Sequence, residues 1–490
     1  MCIISRMIPW KIKWNNYKHW PHKCHDYPVW LPFAIFYPLL FVIPNNRFMG
    51  VALFGVFLLS LYRTNSIFRT LYFMTILCLL FTKGKGFQFI LLGPAQTWHG
   101  IPFTFDFDLT FWNFFLFLLI YMIFRNRHAF KKIPVYISDV FLMCFVISLI
   151  PSTLFSQHPN LSVLGFIEII CMVLLYLITR VIGSYVVWNM ISLIVSFQLI
   201  FEGFLSLSQF LIKGPLGLAI ESVGGLLSQS NNIEYAIEQV GFFRSRGTFD
   251  NSNSLGTFAA CLLPYISILL IYKRNTTIEK IIYSLGVLAG ITAVIVSGSR
   301  TSFFVTAAFF TGIFYVQRRA AVSYLRTGVL TKVVIVSLFV ASLPTIIVPR
   351  VTQLYITLQP GGGLTFRTDL IRYAIQMLRV NVIGVGLGMF PVVLFRSIGT
   401  FFSFPTEPHN LFAQIAAEGG FWALVFFCLF LLTAFIPYIK KALCTSRDNN
   451  PYQTAAAASL FSILIVSNAY PFLLRSSIFP YFWALLAAIV

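Results

Sequence analysis

Two arginines stand beside a polar run where an apolar stretch begins. Residues 241–256 read GFFRSRGTFDNSNSLG, with Arg244 and Arg246 two positions apart in a chain that is only 10% charged. An arginine within a membrane helix costs roughly 2.5–3.5 kcal/mol on insertion scales, so it normally faces a cavity or a partner. A planar guanidinium binds phosphate oxygens in pairs. The pattern favours a phosphate site, with helix capping or contact with lipid headgroups as the alternative.

Three later clusters repeat this mixture of arginine and small polar residues. They are SGSRTS with Arg300, GGGLTFRTDLIRYA with Arg367 and Arg372, and TEPHNLFAQIAAEGG near residue 410. The candidate polar residues besides the arginines are Thr248, Asp250, Asn251, Asn253, Glu407, His409, Asn410 and Glu418. Arginines converging from three loops suit a diphosphate, because several guanidinium groups can share its negative charge.

His409 is the candidate general base. It is the one of the seven histidines with strong polar neighbours at the start of a long apolar helix. With an ordinary pKa near ~6.5, an imidazole can take a proton from a hydroxyl at neutral pH. A helix N-cap or an interfacial hydrogen bond is the alternative. Glu418, nine residues later, is either on a similar helix face or a buried structural acid.

The elements that must position these residues are membrane helices. The chain of 490 residues is 58% hydrophobic, and continuous apolar runs of membrane-spanning length recur along it. We predict an all-α, polytopic integral membrane helical bundle with 12–14 transmembrane helices. The predicted spans are 29–44, 48–62, 70–93, 108–124, 133–156, 163–180, 184–211, 251–272, 281–298, 301–316, 330–348, 411–438, 454–473 and 477–490.

Basic loops predict the orientation. The net charge of +20 is assigned to cytoplasmic loops rather than to nucleic-acid binding, because short loops rich in Lys and Arg stay inside. Loops 125–132, 272–280, 317–328 and 440–447 are of this kind. The four polar clusters then fall on the external face, with external loops at 212–250 and 349–410. The second of these contains a predicted amphipathic helix, TFRTDLIRYAIQMLRV.

The predicted organisation is one membrane domain. A basic cytoplasmic tail occupies 1–28, N-terminal transmembrane helices 29–211, the catalytic region 212–438, and C-terminal transmembrane helices 439–490.

Other candidates are weaker. The tail sequence KHWPHKCHDY has loose metal-ligand spacing in His19, His22, Cys24 and His25, but neighbouring lysines repel a cation, so no metal or other cofactor is expected. A transporter is an alternative, because acidic residues in or near membrane spans can relay protons. The acids in such positions are Asp139, Glu168 and Glu202. The run GVGLG at 384–388 lacks a surrounding βαβ unit, so turns or tight packing are its predicted use.

In this order the clusters resemble the O-antigen ligase family, which also includes O-antigen and exopolysaccharide polymerases, over roughly residues 240–435. RSRGTFDNSNSLG is similar to the family's Arg, Gly-Thr-Phe and Asn-x-Asn pattern, with Arg244, Asn251 and Asn253 at the matching positions. SGSRTS supplies Arg300, and FRTDLIRYA with IGVGLGMF supplies Arg367. HNLFAQIAAEGG resembles the His-Asn and Glu-x-Gly signature.

The resemblance implies a GT-C-like, metal-independent, inverting glycosyltransferase of the bacterial inner membrane, with its active site facing the periplasm. The donor is a glycan on undecaprenyl diphosphate, held by Arg244, Arg300 and Arg367, and His409 is the base, oriented by Asn410 or Glu418. The membrane helices enclose the polyprenyl tail, and loop 349–410 closes as a lid.

The acceptor stays open. A ligase uses lipid A–core, whereas a polymerase uses a second lipid-linked repeat unit, for which Arg246 and Arg372 are spare charges; membrane lipid and a chain-length regulator are further expected partners. Ligase is the favoured assignment, polymerase the second, and a lipid-linked glycan transporter the alternative from another class.

Overall fold

The computed structural model describes most of the membrane helices and part of the connecting loops. The described residues are 55–58, 60, 67–77, 88–89, 109–125, 135–182, 185–218, 243–249, 251–273, 275–320, 363–398, 408–444, 450–468 and 479–490. The basic tail 1–28 and the predicted spans 29–44 and 330–348 lie outside them, as do Asp250 and Glu407.

The described residues are almost entirely helical. The helices are α1 Ile67–Leu77, α2 Phe111–Arg125, α3 Ile137–Leu154, α4 Pro159–Ile182, α5 Tyr185–Ile212, α6 Ser252–Tyr272, α7 Thr277–Ser297, α8 Arg300–Ala320, α9 Gly363–Val380, α10 Phe390–Ile398, α11 Leu411–Cys444, α12 Pro451–Val466 and α13 Phe479–Ile489. Two short strands, β1 Gln88–Phe89 and β2 Leu109–Thr110, pair antiparallel.

These helices confirm the polytopic all-α class. Within the described part of the chain, six are long and apolar enough to cross a membrane, and three shorter apolar helices accompany them. The continuous span expected at 70–93 is wrong, because α1 ends at Leu77 and residues 88–89 are extended. The sequence KGKG at 83–86 interrupts the apolar run there. The total of 12–14 spans stays a prediction.

Helix α6 is the centre of the second half of the bundle. Every residue from Leu255 to Leu269 is buried, and the helix packs against α5, α7, α8 and α12. A glycine allows the closest approach: a Cβ at Gly256 would lie 2.4 Å from Ser297 Oγ. The first turn of α6 is therefore held directly against the junction of α7 and α8.

Helix α11 is broken at Gly420. The backbone there is non-helical, with φ 87° and ψ −178°. The rings of Phe412 and Phe427 are nonetheless only 6.4 Å apart, whereas an unbroken helix would separate these residues by about 22 Å. The first arm, Leu411–Gly419, thus folds back toward the second arm, which begins at Phe421.

A neighbouring segment satisfies the backbone groups that the break exposes. Val385 N donates to Ala417 O at 2.9 Å, and Gly386 N to Glu418 O at 3.0 Å. Phe421 N donates to Val382 O at 2.9 Å. Unpaired amides and carbonyls are costly in an apolar surrounding, so residues 382–386 stabilise the broken helix.

The bundle has a polar network at one end, which we call the Lys273 end. Lys273, only 7% exposed, donates to Asn189 Oδ1 at 2.5 Å, Glu279 Oε1 at 3.0 Å and Tyr283 Oη at 3.3 Å. Tyr452 also donates to Asn189. The network ties together the start of α5, the α6–α7 connection and the start of α12, and it marks the side that the basic loops predict to be cytoplasmic.

Candidate functional site

The arginine loop, residues 243–249, is fixed between two helices. Ser245 N donates to Val296 O at 3.0 Å, and Arg244 Nε donates to Ser297 O at 2.9 Å. The other side of the guanidinium donates to Asn253 Oδ1 at 2.7 Å. Arg244 thus caps the C-terminus of α7, as the alternative interpretation expected, and is oriented by one of the two asparagines of the motif.

The two asparagines of the motif make different contacts. Asn253 accepts from the guanidinium of Arg244. Asn251 has a different role from Asn253: its Oδ1 accepts from Ser254 N at 2.9 Å and caps the N-terminus of α6. The two asparagines therefore hold the start of α6 and the arginine beside it.

Arg300 lies at the same junction as Arg244. Gly298, with φ 62°, ends α7 in the left-handed conformation, and Arg300 is the first residue of α8. Ser302 Oγ donates to Ser299 Oγ at 2.8 Å and steadies this turn. A helix N-terminus carries partial positive charge and attracts anions. Arg244 at the end of α7 and Arg300 at the start of α8 thus concentrate positive charge at one turn.

His409 and Arg367 form the second half of the site. The buried face of α9, which includes Leu370 and Ala374, packs against Ala413 and Ala417 of the first arm of α11. Arg367 lies three residues before Leu370, on that same face. His409 is two residues before the arm, so helix packing brings the two side chains into electrostatic contact.

The surroundings of His409 keep its imidazole neutral. Burial, and then the positive charge of Arg367, lower the pKa of His409 from 6.5 to about 4. A neutral imidazole can accept a proton, whereas a charged one cannot. The backbone of His409 is left-handed, with φ 48°, an uncommon conformation for a residue other than glycine.

Asn410, and not His409, caps the first arm of α11. Asn410 Oδ1 accepts from Ala413 N at 2.9 Å, and its amide donates to Asn468 Oδ1 at 3.0 Å. Leu411 N donates to Ser467 O at 2.9 Å. The N-cap alternative for His409 is thus wrong, because Asn410 is the residue that caps the helix.

The two halves of the site lie at the same end of the bundle. Helices α6 and α12 run antiparallel, with Ser459 Oγ donating to Cys261 O near their middles. From Cys261 back to Asn251 is about 15 Å along α6, and from Ser459 forward to Ser467 is about 12 Å along α12. The loop with Arg244 and the segment with His409 are therefore at similar positions along the bundle axis, at the end opposite the Lys273 end.

Glu418 is a buried structural acid. It is 1% exposed, and its Oε1 accepts from Phe390 N, the first residue of α10, at 3.3 Å. The glycines of GVGLG serve close backbone packing, as predicted: a Cβ at Gly384 would lie 2.4 Å from Glu418 O, and one at Gly386 would lie 2.4 Å from Ser156 Oγ. Leu387 N completes the contact by donating to Ser162 Oγ at 2.8 Å.

Arg372 lies on the other face of α9 from Arg367. Its side chain is 78% exposed and pairs with Asp369 at 3.4 Å. Arg246 is half-buried in the arginine loop, and its amide is bound by α5. Of the two spare charges, Arg246 is thus the one that the fold keeps beside Arg244.

The acids of the transporter alternative have structural contacts. Asp139 forms an ion pair with Arg180 and accepts from Tyr176 Oη at 2.9 Å. Glu202, at 0% exposed, accepts from Thr248 N at 3.1 Å and from the Thr248 hydroxyl. Glu168 is half-buried on α4. Two of the three acids thus hold helices or the arginine loop together.

Three contributors to the site were missed from the sequence. Gln209 binds the arginine loop backbone, while Ser467 and Asn468 hold the entry to α11. Gln209 could have been noticed as an amide inside an apolar span; the other two follow α12 with no local signal. Within the described residues, no group of three His, Cys, Asp or Glu could hold a metal ion. The four metal-ligand candidates of the tail lie outside them.

Together the helices and this site define a multi-pass membrane protein with arginines and a half-buried histidine at one end. Residues 285–428 match the family described as O-Antigen ligase. This match confirms the predicted resemblance over the stretch that carries Arg300, Arg367, His409 and Glu418, and it supports a membrane enzyme of ligase or polymerase type that transfers glycosyl groups. No curated protein matches the chain.

Proposed function

We propose that the protein transfers a glycan from undecaprenyl diphosphate to a sugar hydroxyl at the periplasmic face of the bacterial inner membrane. The observation that carries the proposal is the placement of Arg244 and Arg300 at one helix junction, at the same end of the bundle as His409 and Arg367. The family match supports the same chemistry.

In the proposed reaction the acceptor hydroxyl oxygen attacks the anomeric carbon of the donor. The bond between that carbon and the diphosphate oxygen breaks with inversion, and His409 accepts the hydroxyl proton. Arg244, Arg300 and Arg367 stabilise the charge that develops on the leaving diphosphate, so the chain's own cations supply what a metal ion would supply elsewhere. At neutral pH the imidazole of His409 is in the neutral form that accepts a proton.

The favoured acceptor is lipid A–core, which makes the enzyme a ligase. The second candidate is a polymerase that joins lipid-linked repeat units, working with a chain-length regulator. Arg246 favours it, because the loop holds this second arginine next to Arg244, where a second diphosphate would need a cation. The exposure of Arg372 leaves that arginine out of either proposal.

Reconstitution with purified lipid-linked repeat units, with and without lipid A–core, separates the candidates. Transfer that requires core identifies a ligase, and chain growth without core identifies a polymerase. We expect His409→Ala and Arg300→Ala to lose at least about a hundredfold in rate, as expected for a lost base or a lost charge-stabilising group.

The matched controls are His158→Ala and Arg379→Ala. His158 contacts Arg396 of α10, and Arg379 is exposed in the last turn of α9. Both variants should keep near-normal rates. Movement of glycan across the bilayer with full activity of His409→Ala would contradict the transferase proposal and favour the transporter.

A further inference from the structure

Helix α5 presents two buried polar side chains toward the arginine loop. Glu202 and Gln209 are seven residues apart, which places them on one face, about 10 Å apart along the axis. They are 0% and 5% exposed in a helix that is otherwise mainly apolar. Burying polar groups is costly unless they are hydrogen-bonded, so their partners explain why they are there.

Those partners are three consecutive residues of the loop. Gln209 Oε1 accepts from Arg246 N at 3.2 Å and from Gly247 N at 2.8 Å, and Gln209 Nε2 donates to Gly247 O at 2.9 Å. Glu202 accepts from the amide and the hydroxyl of Thr248. The two side chains thus bind the backbone of the turn that immediately follows Arg244.

The fit between loop and helix is also steric. Gly247 has φ 61°, and a Cβ at this position would lie 2.1 Å from Glu202 Oε2. On the opposite side the loop is bound to the end of α7 through Val296 and Ser297. The loop is therefore held between α5 and α7.

We infer that Glu202 and Gln209 are positioning residues for the donor site, acting through the arginine loop to hold Arg244 and Arg246 toward the diphosphate. The inference rests on the proposed function, because it takes the donor diphosphate as the ligand of these arginines. It gives the two α5 residues no contact with the donor; they fix the backbone from which the arginines extend. A misplacement of about 1 Å at a site of this kind can cost up to about a hundredfold in rate.

The test measures donor KM and kcat, and separately the binding of undecaprenyl diphosphate to the protein in nanodiscs. The key variant is Gln209→Leu, and its matched control is Gln198→Leu. Gln198 is also buried on α5, but it contacts Tyr481 and Leu77 instead of the loop. Both variants should lower the Tm, whereas only Gln209→Leu should raise the donor KM, by about tenfold, the factor that corresponds to one lost buried hydrogen-bonding partner.

Two further variants separate positioning from general packing. Glu202→Gln keeps an acceptor and a donor for Thr248, so donor KM should stay within about threefold of normal, whereas Glu202→Leu should raise it about tenfold. Thr248→Val removes the hydroxyl with little change in size. It replaces the leucine variants in the KM measurement if those variants do not fold. The triple variant Gln209→Leu with Arg244→Ala and Arg246→Ala should bind donor no more weakly than the Arg244→Ala, Arg246→Ala pair alone, because Gln209 acts through those two arginines.

The outcomes distinguish this inference from the proposed function. Equal donor KM in Gln209→Leu and Gln198→Leu, or additive losses in the triple variant, would overturn the positioning role while leaving the donor site intact. Unchanged binding and transfer in Arg244→Ala would overturn the donor site itself. A selective KM effect that disappears when both Arg244 and Arg246 are replaced by alanine supports both.

Discussion

His409 shows how a single residue acquires its chemistry from its neighbours. Burial and the charge of Arg367 together keep the pKa of its imidazole low, at about 4. Since the lowered pKa leaves the imidazole neutral above that value, its basic form is present at neutral pH and is lost only as the pH falls through about 4. The left-handed backbone, with φ 48°, costs on the order of 1 kcal/mol and is maintained because the next residue is fixed as a helix cap.

The first prediction concerns the acid limb of the pH profile. Arg367→Gln removes the positive charge that contributes to the lowered pKa of His409, so this pKa should rise toward its ordinary value. The residual activity of the variant should then begin to fall at a higher pH than in the unsubstituted protein. The measurement is the pH dependence of kcat/KM, which reports the free enzyme.

Arg379→Gln removes a charge from the same helix about 18 Å further along, and its acid limb should coincide with that of the unsubstituted protein. If Arg367→Gln leaves the limb unmoved as well, the two side chains are not coupled.

The second prediction concerns Gly247. Gly247→Ala should lower stability by the cost of a left-handed alanine, roughly 1–2 kcal/mol, and further because its Cβ would lie 2.1 Å from Glu202 Oε2. Gly217→Ala is the control: its φ is 76°, but nothing lies within 4 Å of the added Cβ. Thermal unfolding of the purified proteins should show a clearly larger decrease in Tm for Gly247→Ala. Equal decreases would mean that the loop can move away from α5.

At the scale of elements, the break in α11 decides where the histidine lies. The first arm folds back at Gly420 and carries His409 at its free end, while residues 382–386 bind the exposed backbone. A continuous helix would carry its N-terminal residue away from α9 and from Ser467. The Glu-Gly-Gly sequence at the break is thus an element boundary, with Glu418 holding the start of α10.

The third prediction follows from this boundary. Gly420→Ala should place a Cβ 2.4 Å from the backbone of Ile383 and force an alanine into a conformation that is almost restricted to glycine. We expect a lower Tm and a loss of transfer of about tenfold or more, because His409 moves with the arm. Gly312→Ala has nothing within 4 Å of the new Cβ and should be neutral or stabilising by up to about 1 kcal/mol. Full activity of Gly420→Ala would show that the arm position does not matter for the reaction.

At the scale of the molecule, the antiparallel helices sort polar residues to two ends. Arg244, Arg300 and His409 lie at one end, and the Lys273 network lies at the other. The basic loops predict that the Lys273 end is cytoplasmic, since short cytoplasmic loops are enriched in Lys and Arg. A lipid-linked glycan in the outer leaflet would then meet the arginines directly.

The fourth prediction tests this orientation. The start of α4 lies opposite the Lys273 end, because α4 ends three residues before the start of α5. Asn160→Cys, exposed at this start, should react with a membrane-impermeant maleimide on intact spheroplasts. Thr277→Cys, exposed at the start of α7 near the Lys273 end, should react only after the membrane is opened. The unsubstituted chain gives the background from its own cysteines. The reverse labelling pattern would place the site in the cytoplasm and contradict a periplasmic donor.

By itself the sequence determined the class of protein and most of its helices. The apolar run 251–272 predicted α6 closely, because membrane helices are selected by length and hydrophobicity, which are local properties. The run 411–438 predicted the start of α11 but not its break at Gly420. The amphipathic pattern near 365–380 predicted α9. The four motifs also predicted a resemblance to the O-antigen ligase family, and residues 285–428, which carry three of the motifs, match that family.

Only the tertiary structure decided how the residues combine. Arg244 is capped onto α7, Glu202 and Gln209 reach the loop from α5, and Arg372 lies away from Arg367. The fold-back at Gly420 likewise depends on backbone groups from residues 382–386. These contacts join positions tens of residues apart, and only the packed helices bring their atoms within hydrogen-bonding distance. Such distances cannot be predicted from local composition.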